Sequence, residues 1–174
     1  MRALATFERG FLAANRWALI GLLAAMTVII FTNVALRYLT NASLEWAEEV
    51  ARHMMIWLTC LGAGPVLRAG GHIAVDTLPQ ALPKPLARAL RAVVATLLFG
   101  FFGFMVWYGW LYMQRTMFQM TAVTQVPFAY IYAALPIGGL VLIVHWLLAV
   151  RDYVLEGAFQ ADGDGIDANA AAAI

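Results

Sequence analysis

The feature that most constrains this chain is an apolar run of 20 residues from Trp17 to Leu36, whose polar interruptions are Thr27, Thr32 and Asn33. A helix of about 20 residues spans the roughly 30 Å hydrocarbon core of a bilayer. The run is longer than the apolar centre of a typical cleavable signal peptide. We therefore expect a transmembrane helix that is retained in the protein.

Three further apolar stretches are long enough to span a bilayer. Because 63% of the 174 residues are hydrophobic and only 12% are charged, too few polar residues remain to surround a separate soluble domain. The sequence predicts an all-α integral membrane bundle of four transmembrane helices, with a short N-terminal interfacial helix and a disordered C-terminal tail. The predicted segments are 1–16 for the interfacial helix, 17–155 for the transmembrane domain with spans at about 17–38, 46–67, 90–112 and 127–150, and 156–174 for the tail.

The second span carries charged residues at its beginning. Its uninterrupted apolar centre, residues 54–67, covers only about 21 Å, so the helix must include its charged flank to cross the bilayer. Acidic and basic residues recur there at helical spacing and form one stripe, which small residues continue deeper in the membrane. The stripe consists of Glu45, Glu48, Glu49 and Arg52, followed further along by Gly62 and Ala63.

Two interpretations of this stripe stay open. Ionisable side chains inside a membrane usually face other protein, which favours a contact surface that Arg37, on the same face as Asn33 in the first span, can reach. Alternatively, the first two turns lie in the hydrated headgroup zone, where glutamates are solvated and Trp46 is an interfacial anchor. In either case Ser43 is expected to cap the start of the helix.

The second span ends in a polar turn. Arg68 precedes the helix-breaking pair Gly70-Gly71, and His72 and Asp76 follow at intervals of four residues. A salt bridge within this loop is the expected arrangement. We expect His72 and Asp76 to order the turn and to leave Arg68 available for the membrane surface.

Two prolines lie in the last predicted span. Pro127 can begin the helix, because its missing N–H falls among groups that have no partner within the helix. Pro136, followed by Gly138 and Gly139, is expected to kink it. Such kinks are common in membrane helices and do not by themselves indicate a gate.

The basic residues predict the orientation. Eight of them fall on the side that holds both termini and the second loop, whereas Arg37, Arg52 and Arg115 fall on the other. The positive-inside rule therefore places both termini in the cytoplasm and the glutamates toward the external side. The eight are Arg2, Arg9, Arg16, Arg68, Lys84, Arg88, Arg91 and Arg151.

The residue pattern argues against several classes of function. It contains no nucleotide-binding loop, HExxH sequence or nucleophile elbow, so we expect no enzymatic activity. Cys60 is the only cysteine, which leaves neither a disulfide framework nor a thiolate metal site. A haem-bearing anchor would need paired histidines, and only His72 and His145 lie at similar depth. A self-contained small transporter or channel is the stronger alternative, although the third and fourth spans carry no ionisable residue at mid-depth to continue a pathway.

Several short motifs lie between Asn33 and about Val150. They are Asn33-x-x-x-Arg37-Tyr38, Trp46-Ala-Glu48-Glu49 with Arg52 and Trp57, Gly62-Ala63, Arg68-x-Gly70-x-His72-Ile73-x-Val75-Asp76, and Pro127, Tyr130 and Pro136-x-Gly138. Together they resemble the small membrane subunit of the tripartite ATP-independent periplasmic (TRAP) transporters, the DctQ-like proteins. The motif from Arg68 to Asp76 carries the resemblance most strongly.

The resemblance implies a function that the residues alone do not reveal. It implies a scaffold subunit in the bacterial inner membrane, bound to a large multi-span DctM-like subunit that is driven by a sodium gradient. A periplasmic substrate-binding protein would deliver the substrate, often an organic acid. No cofactor is expected in this chain, since the sodium and substrate sites would belong to the large subunit. We expect Glu48, Glu49 and Arg52, with Arg37, to hold the first two spans together and against that subunit.

Overall fold

The computed structural model describes residues 2–69 and 82–156, and this part of the chain is built from helices. Four helical segments, Thr6–Thr40, Ala47–Arg68, Lys84–Arg115 and Phe128–Leu155, are long and apolar enough to cross a membrane. The predicted all-α bundle of four spanning helices is therefore confirmed. The helices are α1 (Arg2–Thr40), α2 (Ala47–Arg68), α3 (Lys84–Arg115), α4 (Phe128–Tyr132) and α5 (Ala134–Glu156).

The first helix runs without interruption from Arg2 to Thr40. The predicted interfacial helix over 1–16 is thus continuous with the first span rather than a separate element. No proline lies in this stretch, so nothing in the sequence forces the backbone hydrogen bonds to break at residue 16. Its 39 residues extend over about 58 Å, which exceeds the thickness of the hydrocarbon core.

Two predicted features lie outside the described residues. The first is the turn that contains Gly70, Gly71, His72 and Asp76, and the second is the tail beyond Glu156. The ordering role of His72 and Asp76 and the disorder of the tail therefore stay predictions.

The last helix, α5, lies at the centre of the bundle. It packs against α2 on one side and α3 on the other, whereas α1 packs mainly against α2. Trp146 of α5 is fully buried, and its indole N–H donates a hydrogen bond to the carbonyl oxygen of Ala95 in α3 at 3.3 Å. The apolar core around it comprises Leu67, Ala95, Phe102, Leu142 and Trp146.

Glycines allow α2 and α5 to approach closely. A Cβ atom on Gly64 would lie 2.3 Å from Cδ2 of His145, and one on Gly138 would lie 2.7 Å from Cβ of Cys60. Small residues at helix contacts are typical of membrane bundles, since they let the backbones come near each other. Of the predicted small pair, Gly62 lies near Leu19 of α1 and Ala63 packs against the core.

Replacement of Gly64 by alanine is expected to destabilise the bundle by about 1–2 kcal/mol, because the added methyl group would overlap the His145 ring. Gly100→Ala is the matched control, since a Cβ there meets nothing within 4 Å. Alanine is the better helix former, so the control should be stabilising by up to about 1 kcal/mol. Thermal unfolding of both variants in detergent measures the difference, and equal midpoints would contradict the close packing.

Pro136 interrupts the last span as expected. Because proline has no N–H, it cannot donate to the carbonyl of the residue four positions earlier, Tyr132, and α4 ends at this residue. Helix α5 begins two residues later, at Ala134. A second proline, Pro65, lies inside α2 without ending it.

Candidate functional site at the two ends of the bundle

The end of the bundle where α2 begins is organised around the carboxylate of Glu49. Its oxygens accept hydrogen bonds from the backbone N–H of Val123 at 2.9 Å and of Thr124 at 3.0 Å, both in the loop between α3 and α4. The hydroxyl of Thr124 donates a third bond to the same carboxylate. Glu49 is only 6% exposed. We call this arrangement, formed by Glu49, Val123 and Thr124, the Glu49 clamp.

Hydrogen bonds within the loop between α3 and α4 hold the segment that meets Glu49 in a folded conformation. The N–H of Thr121 donates to the carbonyl of Val126 at 3.0 Å, and the N–H of Val126 donates to the hydroxyl of Thr121 at 3.0 Å. Gln125 has a positive φ of 54°, and its side-chain amide donates to the carbonyl of Thr121. These bonds close residues 121–126 into a tight turn.

Chemistry fixes the direction of the hydroxyl bonds in the loop. An ionised carboxylate only accepts, so Thr124 must use its single hydroxyl hydrogen toward Glu49. Thr121 must then be the donor in the 2.8 Å contact between the two threonine hydroxyls. The chain of donors runs from Val126 through Thr121 and Thr124 to Glu49, and such chains strengthen one another.

Asn33 orders the link between α1 and α2. Its side-chain oxygen accepts a hydrogen bond from the N–H of Leu44 at 2.7 Å, and it is 8% exposed. The predicted cap at Ser43 is wrong, since the residue before α2 is Trp46 and no side chain caps the helix. The bond from Asn33 fixes Leu44, whose carbonyl then accepts from the N–H of Ala47. Trp46 itself is 41% exposed.

The charged residues predicted to act together form no ion pair with one another within the described residues. Glu49 forms no ion pair within the described residues and turns to the loop instead. Arg37 is exposed, and its guanidinium lies 5.9 Å from the ring centre of Tyr38. Glu48 and Arg52 are exposed and line a groove between α1 and α2.

At the opposite end of the bundle, Arg68 is buried rather than available to the membrane surface. Its guanidinium lies 2.7 Å from a carboxylate oxygen of Glu8 in α1. Arg68 is 2% exposed and Glu8 is 28% exposed. The expectation of a surface-facing Arg68 is wrong, because a buried guanidinium is tolerated when an acidic partner meets it.

Asn15 of α1 joins three helices near this end. Its side-chain amide donates to the carbonyl of Leu61 in α2 at 3.2 Å and lies 3.1 Å from Nε2 of His145 in α5. The carbonyl of Leu61 needs an outside donor, because the residue four positions later is Pro65. Asn15 thus supplies the hydrogen bond that Pro65 cannot.

The same geometry assigns the tautomer of His145. The amide nitrogen of Asn15 uses one hydrogen for Leu61 and the other for Nε2, so Nε2 accepts and the ring proton sits on Nδ1. His145 is fully buried. Its role in the described structure is to hold α1 and α5 together.

Sequence reasoning missed the residues that join distant segments, namely Glu8, Asn15, Thr121 and Thr124. One signal was available: Glu8 and Asn15 are seven positions apart and share a helix face otherwise directed to apolar neighbours. No comparable pattern marks the threonines of the loop.

Comparison with known proteins yields a family match. The family model described as "Tripartite ATP-independent periplasmic transporters, DctQ component" matches residues 26–155. A putative TRAP transporter small permease protein of Haemophilus influenzae is 29% identical over 142 residues, which cover 79% of this chain and 88% of the relative.

Two further relatives are longer than the segment that matches. The C4-dicarboxylate TRAP transporter small permease protein DctQ of Vibrio cholerae is 40% identical over 73 residues, which are 42% of this chain and 31% of that protein. The isethionate TRAP transporter permease protein DctMQ of Oleidesulfovibrio alaskensis is 27% identical over 135 residues, covering 76% of this chain but 21% of that protein.

Proposed function

The chain belongs to the DctQ component family of the TRAP transporters, and we propose that it is the scaffold subunit of a sodium-coupled secondary transporter that imports organic acids. It works with a large membrane subunit, which carries the substrate and sodium sites, and with a periplasmic substrate-binding protein. The chain itself is a multi-pass membrane protein and not an enzyme.

The observation that carries this proposal is the length of the DctMQ relative. The segment that this chain matches is only 21% of that permease, so the matched segment there is joined covalently to a much longer chain. A segment that is part of one polypeptide in a relative is expected to keep the same neighbour when it is a separate chain. This supports a large membrane subunit as the partner.

The internal contacts support a scaffold role. The buried polar side chains Asn15, Asn33 and Glu49 each bond to other parts of the same chain. Such contacts hold the helices in place, and they engage these polar groups in hydrogen bonds within the chain. The surface is apolar by contrast, with Phe31 of α1 at 72% and Trp107 of α3 at 64% exposed, which suits contact with lipid and with another membrane protein.

The proposed location is the bacterial inner membrane, with both termini in the cytoplasm. The excess of Lys and Arg on the side of the termini supports this orientation. The Glu49 clamp then faces the periplasm, on the side where the binding protein delivers substrate.

A pull-down of the tagged chain from its native membrane in gentle detergent tests the proposal. Mass spectrometry is expected to find one large multi-span subunit in stoichiometric amount. The purified complex in liposomes should take up substrate only with an inward sodium gradient and the binding protein, whereas the isolated chain should take up none. Recovery of the chain only as a homo-oligomer, with uptake by the chain alone, would favour an autonomous transporter or channel.

A further inference from the structure

A groove of about 300 Å³ lies between α1 and α2 at the end of the bundle where α2 begins. Its walls are charged near the start of α2 and apolar further along the helix, toward the middle of the span. Met26 and Ile30 of α1 and Ala51 and Met55 of α2 form the apolar part, and Glu48 and Arg52 stand at the mouth. A neighbouring depression along α1 shares Met26 and Ile30 and continues the apolar surface past Phe31.

The two charges at the mouth have no partner in the described part of the chain. No hydrogen bond or ion pair there involves the side chain of Glu48 or Arg52, although they are four positions apart on one helix face. Arg52 lies about 7.5 Å along α2 from its start, so both side chains are at the end of the span, where long charged side chains can extend toward the membrane surface. An unpaired carboxylate and an unpaired guanidinium at this depth favour a ligand that carries both opposite charges.

We propose that this groove binds a zwitterionic phospholipid whose headgroup carries a primary ammonium and a phosphate, as phosphatidylethanolamine does. Arg52 pairs with the phosphate, since a guanidinium matches phosphate oxygens in bidentate geometry. Glu48, one turn nearer the end of the helix, accepts hydrogen bonds from the ammonium. One acyl chain lies along Met26, Ile30 and Met55, deeper in the membrane than the charges.

Three features favour a lipid over a helix of another protein. The order of the groove, with charges toward the membrane surface and apolar walls beneath, matches the order of a phospholipid from headgroup to chain. Two of the lining residues are methionines, Met26 and Met55, and their flexible side chains can adapt to a mobile acyl chain. A partner helix would need one acid and one base at the same spacing to satisfy both charges. The proposal depends on the membrane location of the chain and not on its transport role.

Native mass spectrometry of the full-length chain, purified in mild detergent from nanodiscs with equal amounts of phosphatidylethanolamine and phosphatidylglycerol, tests the proposal. The wild-type chain is expected to retain about one phosphatidylethanolamine, by charge-assisted bonds at both ends of the headgroup. Arg52→Gln should reduce retained phospholipid about tenfold, through loss of the phosphate contact. Glu48→Gln should abolish the preference for phosphatidylethanolamine over phosphatidylglycerol, which has no ammonium.

Arg37→Gln is the matched control, because it removes the same charge at the same end of the bundle from an exposed arginine outside the groove. It should retain lipid as the wild type does. The proposal fails if the wild type retains no phospholipid, or if Arg52→Gln and Arg37→Gln lower retention equally. It also fails if Arg52→Gln and Glu48→Gln lose the large subunit in a pull-down from the native membrane while their lipid retention in nanodiscs is unchanged, since the groove would then be a protein interface.

Discussion

Replacement of Asn15 by alanine is expected to lower the stability of the bundle by about 2–4 kcal/mol. The change leaves two acceptors without their donor, the carbonyl of Leu61 and Nε2 of His145. Each buried polar group without a partner costs about 1–3 kcal/mol, and hydrogen bonds between membrane helices fall toward the low end of such values. Unfolding of the full-length chain by heat or denaturant in detergent measures the loss.

Thr27→Ala is the matched control, since Thr27 is an exposed polar residue of the same helix, and its hydroxyl donates to the carbonyl of Leu23 within that helix. Exposed substitutions of this kind usually change stability by less than about 0.5 kcal/mol. The sharper test adds Pro65→Ala, which returns an N–H donor to the carbonyl of Leu61. In that background the cost of Asn15→Ala should fall by about 1 kcal/mol. An unchanged cost would show that Asn15 does not replace the missing donor of Pro65.

Replacement of Glu49 by glutamine is expected to release the loop between α3 and α4. One carboxylate oxygen becomes an NH₂ group, which cannot accept the N–H that meets it, that of Val123 at Oε2 or that of Thr124 at Oε1. The amides of residues 121–126 should exchange with solvent at least about tenfold faster, because loss of the clamp permits local opening. Hydrogen exchange with mass spectrometry of the full-length chain in detergent measures this change.

Glu48→Gln separates the clamp from a general effect of charge. It removes one negative charge from the same turn of α2, but Glu48 is exposed and lines the groove between α1 and α2 instead of the loop. Exchange in the loop should therefore match the wild type. Equal acceleration in both variants would mean that the charge of this helix end, rather than the clamp, protects the loop.

The four spans could be predicted because membrane crossing imposes a local rule on composition. A run of about 20 apolar residues is visible without knowledge of any partner, and the break near Pro136 follows from one missing N–H. The continuity of α1 is harder to foresee, since a charged N-terminal stretch and an apolar span differ in composition but not in backbone geometry.

The polar contacts could not be predicted because their partners are distant in sequence. Sequence spacing associates Arg68 with nearby loop residues, yet the carboxylate it meets belongs to Glu8, 60 positions earlier. Glu49 stands out as a carboxylate at membrane depth, but two of its three donors are backbone N–H groups, 74 and 75 positions away. Every residue except proline has such a group, so the amino-acid sequence gives no sign of which backbone N–H groups will bind Glu49.

The central position of α5 determines when the bundle can be completed during synthesis. Chains emerge from the ribosome N-terminus first, so α1 and α2 enter the membrane before the helix that fills the space beside them exists. Until α5 arrives, Gly64 of α2 faces no histidine and Asn15 has only Leu61 to bind. A nascent chain that stops short of residue 134 therefore contains α1 to α4 but lacks Leu142 and Trp146, which complete the core with residues of α2 and α3.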